Sequence, residues 1–162
     1  MKAVILAGGN GFRLNPLTLT TNKHLLRLYN RPVIDYAIEK LTNAGFCELM
    51  LVTSNKHLED FKKILETGDC LKTPEGKKLK IVYAVQDSPD GIAHRLLIAK
   101  DYIGKDSCVL YLGDNIIEDD ITEHIKNFNK GAKIFLKPVS DPKRFGVATL
   151  NSNNKVVAIE EK

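Results

Sequence analysis

The chain has 162 residues, 43% hydrophobic and 27% charged, with a formal net charge of +4. That length is most simply one domain with a real core, in the composition of a soluble globular protein. The mild positive balance suits anionic small molecules, but no block of like charge and no aromatics interleaved with lysines are present, which excludes a nucleic-acid surface. No apolar run approaches the length of a membrane span and no leader pattern opens the chain, so no membrane partner is expected and the protein reads as cytoplasmic. Cys47, Cys70 and Cys108 are odd in number, widely spaced and without a ligand pattern. A disulfide framework is therefore not expected; Cys47 and Cys108, in or beside strand-like runs, read as buried thiols and Cys70 as a loop thiol.

In chain order, Ala3 to Leu6 is an apolar run that reads as a buried strand. It empties into Ala7-Gly8-Gly9-Asn10-Gly11, where three glycines remove Cβ atoms and let bare N–H groups curl round an anion. Arg13 and Lys23 follow as cations, so strand, glycine loop and cations suit a polyphosphate. The loop is not a Walker loop, because no Gly-Lys-Ser/Thr closes it. Nor is it a dinucleotide fingerprint, because Leu14 replaces the third glycine and Pro16 interrupts the helix such a loop should open. A glycine turn after a strand is also a common purely structural feature.

Pro32 sits where a first helical residue is tolerated, and Val33, Ile34, Ala37, Ile38 and Leu41 recur at helical spacing until Asn43-Ala44-Gly45 ends the helix. Leu49 to Val52 reads as a second strand and Leu58 to Leu65 as a second helix. Gly68 to Lys78 reads as a surface loop, Lys80 to Val85 as a third strand, Ile92 to Tyr102 as a third helix, and Ser107 to Leu112 as a fourth strand. A helix from about Asp120 to Asn129 follows, then two or three strands: Ala132 to Leu136, Gly146 to Leu150 and Lys155 to Ile159. Repeated alternation predicts an α/β fold with a doubly wound, mostly parallel sheet. Right-handed crossovers give the core order 3-2-1-4, so strands one and four flank the switch point where ligands of such sheets bind. The glycine loop leaves strand one and Asp114 leaves strand four, which brings two motifs about a hundred residues apart to one crevice.

Asp114 is either a turn and capping residue or, facing a phosphate loop, a ligand for Mg²⁺, whose hard charge prefers carboxylate and phosphate oxygens. Gln86, at the end of strand three, has an amide able to donate and accept at a base edge, or is a solvated strand end. Asp87 and Asp90 read as turn and cap residues. His24, His57, His94 and His124 form no ligand spacing, and no cysteine or serine has an evident histidine partner.

Leu6-Ala7-Gly8-Gly9-x-Gly11-x-Arg13-Leu14-x-Pro16-Leu17-Thr18, then Asn22-Lys23-His24-Leu25-Leu26 and Arg31-Pro32-Val33-Ile34, resembles the signature of the sugar-1-phosphate nucleotidylyltransferases, nearest the glucose-1-phosphate thymidylyltransferases. The likeness continues through Gln86-x-x-Pro89-Asp90-Gly91-Ile92-Ala93, Leu112-Gly113-Asp114-Asn115, Arg144-Phe145-Gly146-Val147 and Glu160-Glu161-Lys162. It implies a Rossmann-like sheet of the nucleotide-diphospho-sugar transferase type. It also implies transfer of a nucleotidyl group from a nucleoside triphosphate, dTTP favoured, to a sugar 1-phosphate, glucose 1-phosphate favoured, with release of pyrophosphate.

By the resemblance, Leu6, Ala7, Gly8, Gly9, Gly11, Gln86, Pro89, Gly91 and Asp114 bind the nucleotide, with Gln86 on the pyrimidine. Arg13 and Lys23 stabilise the transition state and the departing pyrophosphate, Asp114 holds Mg²⁺, and Gly146, Glu161 and Lys162 meet the sugar phosphate. Phe12, Arg27, His94 and Arg95 depart from the family's threonine, proline, glutamine and alanine, in or near the nucleotide site. The likeness covers all of this chain and about half of a typical member, whose remainder carries a second metal-ligand aspartate and much of a homo-oligomer interface. The alternatives to a thymidylyltransferase are a uridylyltransferase, or a catalytically inactive or fragmentary domain that binds a nucleotide or sugar nucleotide.

Overall fold

In chain order the elements are β1 (Lys2–Leu6), β2 (Arg27–Leu28), β3 (Arg31–Pro32), α1 (Val33–Asn43), β4 (Glu48–Ser54), α2 (Leu58–Glu66), β5 (Lys80–Gln86), α3 (Gly91–Ile98), α4 (Lys100–Ile103), β6 (Cys108–Leu112), α5 (Thr122–Lys126), β7 (Val147–Leu150) and β8 (Val156–Glu160). The structure is a computed structural model that describes residues 1–9, 11–66, 73–74, 76–86 and 91–161. The expectations for Cys70, Asp87, Pro89, Asp90, Lys162 and much of the Gly68 to Lys78 loop fall outside these residues.

β1 is the centre because its sequence is apolar on both faces. Side chains alternate across a strand, so Ala3 and Ile5 enter one cluster with Ile34, Ile38, Leu41 and Phe61, while Val4 and Leu6 enter another with Val52 and Ala99. A strand can bury both faces only if helices cover both. α1 and α2 supply the first cover; Ala99 and the partly buried Ile98 and Tyr102, at the junction of α3 and α4, supply the second. Phe61, at 0% exposure, is the largest fully buried side chain, and burying a side chain of that kind contributes about 1.5–3 kcal/mol.

The sheet order is β5-β4-β1-β6, all parallel, with Val4 opposite Met50 on one side and Leu110 on the other. In strand count this is the expected order 3-2-1-4. The carboxyl ends of β1 and β6 therefore lie side by side, and Gly113 N–H donates to Leu6 O at 3.0 Å just beyond them. α1 ends as its residues demand: Gly45, at φ 97, turns the chain, and Phe46 N–H returns to Leu41 O at 3.2 Å.

Several local expectations are corrected. Pro32 closes the small hairpin β2–β3 and caps α1 rather than opening it, because its ψ of 148° is extended. Ile92 to Tyr102 is two helices that meet at buried Ala99, whose ψ of 0° lies at the edge of the right-handed helical region. α5 is shorter than Asp120 to Asn129, its last turn closing at Asn127. Ala132 to Leu136 belongs to no sheet among the described residues, and Ile134, Phe135 and Leu136 are exposed. Cys47 is exposed rather than buried, and Cys108 is intermediate.

The chain divides into two compact units, Met1–Phe128 and Asn129–Lys162. In the second, β7 and β8 form an antiparallel pair with Val147 opposite Glu160. Among the described residues no helix is long and apolar enough to cross a membrane.

Candidate active site

The site of the first unit is built where β1 and β6 end. Ala7 is held to the neighbouring strand by its N–H on Val52 O at 2.8 Å, and its carbonyl accepts from Asn22 Nδ2 at 3.2 Å. The chain then runs through buried Gly8 to Gly9 and Gly11. Gly11 has φ 66, a left-handed value open to glycine at little cost, and a Cβ there would stand 2.9 Å from Thr18 Cγ2 and 3.1 Å from Lys23 Cβ. Thr18 Oγ1 donates to Gly11 O at 2.8 Å. A Cβ on Gly9 would meet Lys23 Cε at 3.2 Å and Nζ at 3.4 Å. Lys23 thus lies along the bare face of the loop, and a Cβ on Gly9 would make its tip shift by a few tenths of an ångström.

The ammonium of Lys23 donates to Asp114 Oδ2, joining residues 91 apart in sequence. Burial pushes the Asp114 carboxyl upward, but the Lys23 hydrogen bond, the Lys23 charge and the His24 interaction outweigh it and hold Asp114 below its usual value. The backbone that carries Asp114 is tightly set. A Cβ on Gly113 would stand 2.9 Å from His24 Cδ2, 3.1 Å from Ile34 Cδ1 and 3.1 Å from Leu6 O. Downstream, Lys40 Nζ donates to Glu118 O and Asp119 O at 3.2 and 3.1 Å, which ties that segment to α1.

Two residues below the loop were quoted in the motif but given no role by sequence reasoning. Asn22, 2% exposed, donates to Ala7 O, so its Oδ1 is the atom that accepts His24 N–H at 2.9 Å and faces His24 Nδ1 at 2.6 Å. His24 is 2% exposed, and burial first, then the charges of Lys23 and Arg95, push it down to about 4, against an upward pull from Asp114. It is neutral at pH 7, with Nδ1–H donating to Asn22. The only sequence signal for this network was the polar-cationic run Asn22-Lys23-His24 ahead of Leu25.

Gln86 ends β5 and is 4% exposed, not a solvated strand end. Its Oε1 accepts from Arg95 Nε, and its Nε2 lies 3.4 Å from His94 Nδ1. A Cβ on Gly8 would be 3.4 Å from Gln86 Oε1 and 3.5 Å from Arg95 Nε, so amide and guanidinium border the loop. Gly91 opens α3 at φ 84. Of the departures noted above, His94 and Arg95 therefore reach this site, whereas Arg27 donates to Asn30 O at 3.1 Å within its own hairpin and Phe12 is exposed. Arg13 is exposed on the short 3-10 turn Phe12–Leu14, and no described residue pairs with it.

In the second unit, a Cβ on Gly146 would stand 3.3 Å from Glu161 Oε1, so the register of β7 on β8 brings these two together. Among the described residues no group of three or more His, Cys, Asp or Glu side chains could hold a metal ion.

A parallel sheet with a glycine loop, a lysine and a carboxylate gathered at its switch point defines an α/β protein whose candidate site lies at the carboxyl ends of its strands. The sequence matches the family described as nucleotidyl transferase over residues 2–162, and the chain belongs to that family. It is 41% identical over 166 residues to a glucose-1-phosphate thymidylyltransferase of Streptomyces antibioticus, covering all of this chain and 45% of that protein. It is 37% identical over 165 residues to a low-salt glycan biosynthesis nucleotidyltransferase of Haloferax volcanii, covering all of this chain and 44% of that protein. The chain spans about half the length of the curated relatives it matches. A crystal structure of a Bacillus anthracis protein, assigned by name as a glucose-1-phosphate thymidylyltransferase and bound to a sucrose, superposes with a TM-score of 0.87 at 41% identity. It covers 99% of this chain and 64% of that one.

Proposed function

We propose that the chain handles a nucleoside triphosphate in nucleotidyl transfer to a sugar 1-phosphate, with dTTP and glucose 1-phosphate as the pair that its relatives' names favour. The observation that carries this reading is the Lys23–Asp114 pair laid across Gly9. Cation, carboxylate and uncovered backbone from two distant motifs meet at one switch point. An oxygen of the sugar phosphate attacks the α-phosphorus; the new P–O bond forms as the bond to the bridging oxygen breaks, and its electron pair leaves on pyrophosphate. Such transfer needs alignment and positive charge rather than a side-chain nucleophile. Lys23 supplies charge at the loop, Arg13 adds a second cation from the adjoining turn, and Leu6, Ala7, Gly8, Gly9 and Gly11 bring backbone close to the phosphates. Gln86 and Gly91 belong to the nucleoside end, and Gly146 and Glu161 are assigned to the sugar phosphate.

The donor set fits Mg²⁺ of the kind shared with substrate. An ionised Asp114 carboxylate at the phosphate loop is one hard oxygen ligand, and Mg²⁺ is commonly held by one or two carboxylates, waters and phosphate oxygens rather than by an all-protein cage. When bound it would neutralise phosphate charge. Asp114→Ala is expected to abolish the Mg²⁺ dependence of triphosphate affinity in calorimetric titrations; unchanged dependence removes the metal role. Pyrophosphate release is then measured with glucose 1-phosphate, Mg²⁺ and each of dTTP, UTP, CTP, ATP and GTP. Release with dTTP supports thymidylyl transfer and release with UTP supports uridylyl transfer. Silence with all five, alongside retained binding, supports a binding domain without turnover, a reading that the occupied Gln86 amide favours.

A further inference from the structure

The amide of Gln86 is not waiting open. Arg95 Nε can only donate, so the Gln86 atom it meets is the carbonyl Oε1, and this orients the amide with Nε2 toward His94 Nδ1. Gln86 is 4% exposed, and the guanidinium carbon of Arg95 lies 3.6 Å from where a Cβ on Gly8 would stand. Arg95 thus lies against both Gln86 and the loop, and its charge is felt by His24 beneath that loop. An aliphatic side chain at 95 could not make this contact.

We propose that Arg95 is a specificity-determining residue: it caps the acceptor atom of Gln86 and sets the site against bases that carry an N3–H. The inference rests on the reading of Gln86 as the nucleoside-end amide. Thymine and uracil present a donor N3–H between two carbonyl acceptors and need an acceptor from the protein opposite N3. With Arg95 in place, one of the two lone pairs of Oε1 is taken, and the guanidinium beside that atom presents its remaining N–H groups, which are donors only. Donor would face donor. Cytosine presents adjacent acceptors, N3 and O2, and a guanidinium suits paired acceptors. The cap therefore penalises thymidine and uridine nucleotides relative to cytidine nucleotides, and its displacement is the step that opens the site to dTTP.

The test is calorimetric affinity of dTTP, UTP, CTP and tripolyphosphate, with Mg²⁺, for the wild-type chain, Arg95→Ala, Arg95→Lys and the double variant Arg95→Ala/Gln86→Ala. Freeing Oε1 is expected to raise the dTTP-to-CTP and UTP-to-CTP affinity ratios about tenfold, the equivalent of one hydrogen bond. Tripolyphosphate affinity should not rise. Arg95→Lys keeps the charge and an N–H donor able to meet Oε1, so ratios between those of the wild type and Arg95→Ala are expected; ratios above those of Arg95→Ala would overturn the cap. A parallel fall in affinity for all four ligands in Arg95→Ala, with unchanged ratios, would overturn it by making Arg95 a phosphate ligand. Removing Gln86 as well should erase the gain. A gain that survives in the double variant overturns the role of Gln86, and absence of all binding overturns the nucleotide reading itself.

Discussion

Gly113→Ala tests whether the position of Asp114 is set by packing beneath it. The added Cβ would meet His24 Cδ2 at 2.9 Å, Ile34 Cδ1 at 3.1 Å and Leu6 O at 3.1 Å. The Ile34 tip can turn away. His24 cannot do so freely, because Asn22 Oδ1 holds both its N–H and its ring. Leu6 O belongs to the central strand and accepts Gly113 N–H at 3.0 Å, so moving it forfeits that bond. Overpacking alone costs about 1–3 kcal/mol; adding a weakened hydrogen bond, about 0.5–1.5 kcal/mol, places the loss at about 1.5–4.5 kcal/mol. For a chain of this size that lowers the melting temperature by about 3–18 °C. Gly8→Ala is the comparison, since its Cβ would make only ordinary contacts, at 3.4–3.6 Å, with flexible side-chain ends; it should cost less than about 1 kcal/mol. Urea unfolding of both variants supplies the stabilities, and calorimetry of triphosphate with Mg²⁺ reports on Asp114. If Gly113→Ala is no less stable than Gly8→Ala, or keeps full Mg²⁺ dependence, the packing argument fails.

Asn22→Ala should cost about 2–4 kcal/mol by denaturant unfolding, because Ala7 O, His24 N–H and His24 Nδ1–H lose their partner in a buried setting; a loss below about 1 kcal/mol would mean another group or a water replaces it. His24 should make stability depend on pH in metal-free buffer. The unfolded chain takes up its proton near 6.5 and the folded chain only near 4, so between those values the unfolded state binds more protons. Stability is therefore complete above pH 6.5 and falls as pH drops toward 4, by up to about 3 kcal/mol. His24→Gln should flatten that slope, and an unchanged slope in the variant would assign the dependence to other groups.

Local pattern was enough to make much of the fold legible. Ala3 to Leu6 is apolar on both faces, Val33 to Leu41 repeats at helical spacing, and Asn43-Ala44-Gly45 carries its own stop; each signal lies within a few residues of the element it specifies. With strand–helix alternation, the handedness of crossovers leads to the order of the four parallel strands and so to the convergence of Gly9 and Asp114. The failures share a cause. Ala132 to Leu136 has a strand's composition, but pairing is a property of the neighbour; Cys47 sits beside β4 yet outside its buried stretch.

What sequence alone determined is the switch point and the residue types gathered there: glycines without Cβ, a lysine, an aspartate on the neighbouring strand end and a glutamine on the third. Tertiary structure decided how those groups are spent on one another. Lys23 is paired with Asp114, Gln86 Oε1 is taken by Arg95, and Asn22 and neutral His24 support the loop from below. Such partnerships join residues up to 91 positions apart and depend on distances of a few tenths of an ångström. A one-dimensional pattern carries neither, because hydrogen bonds and excluded volume act only between atoms that the fold has already brought together.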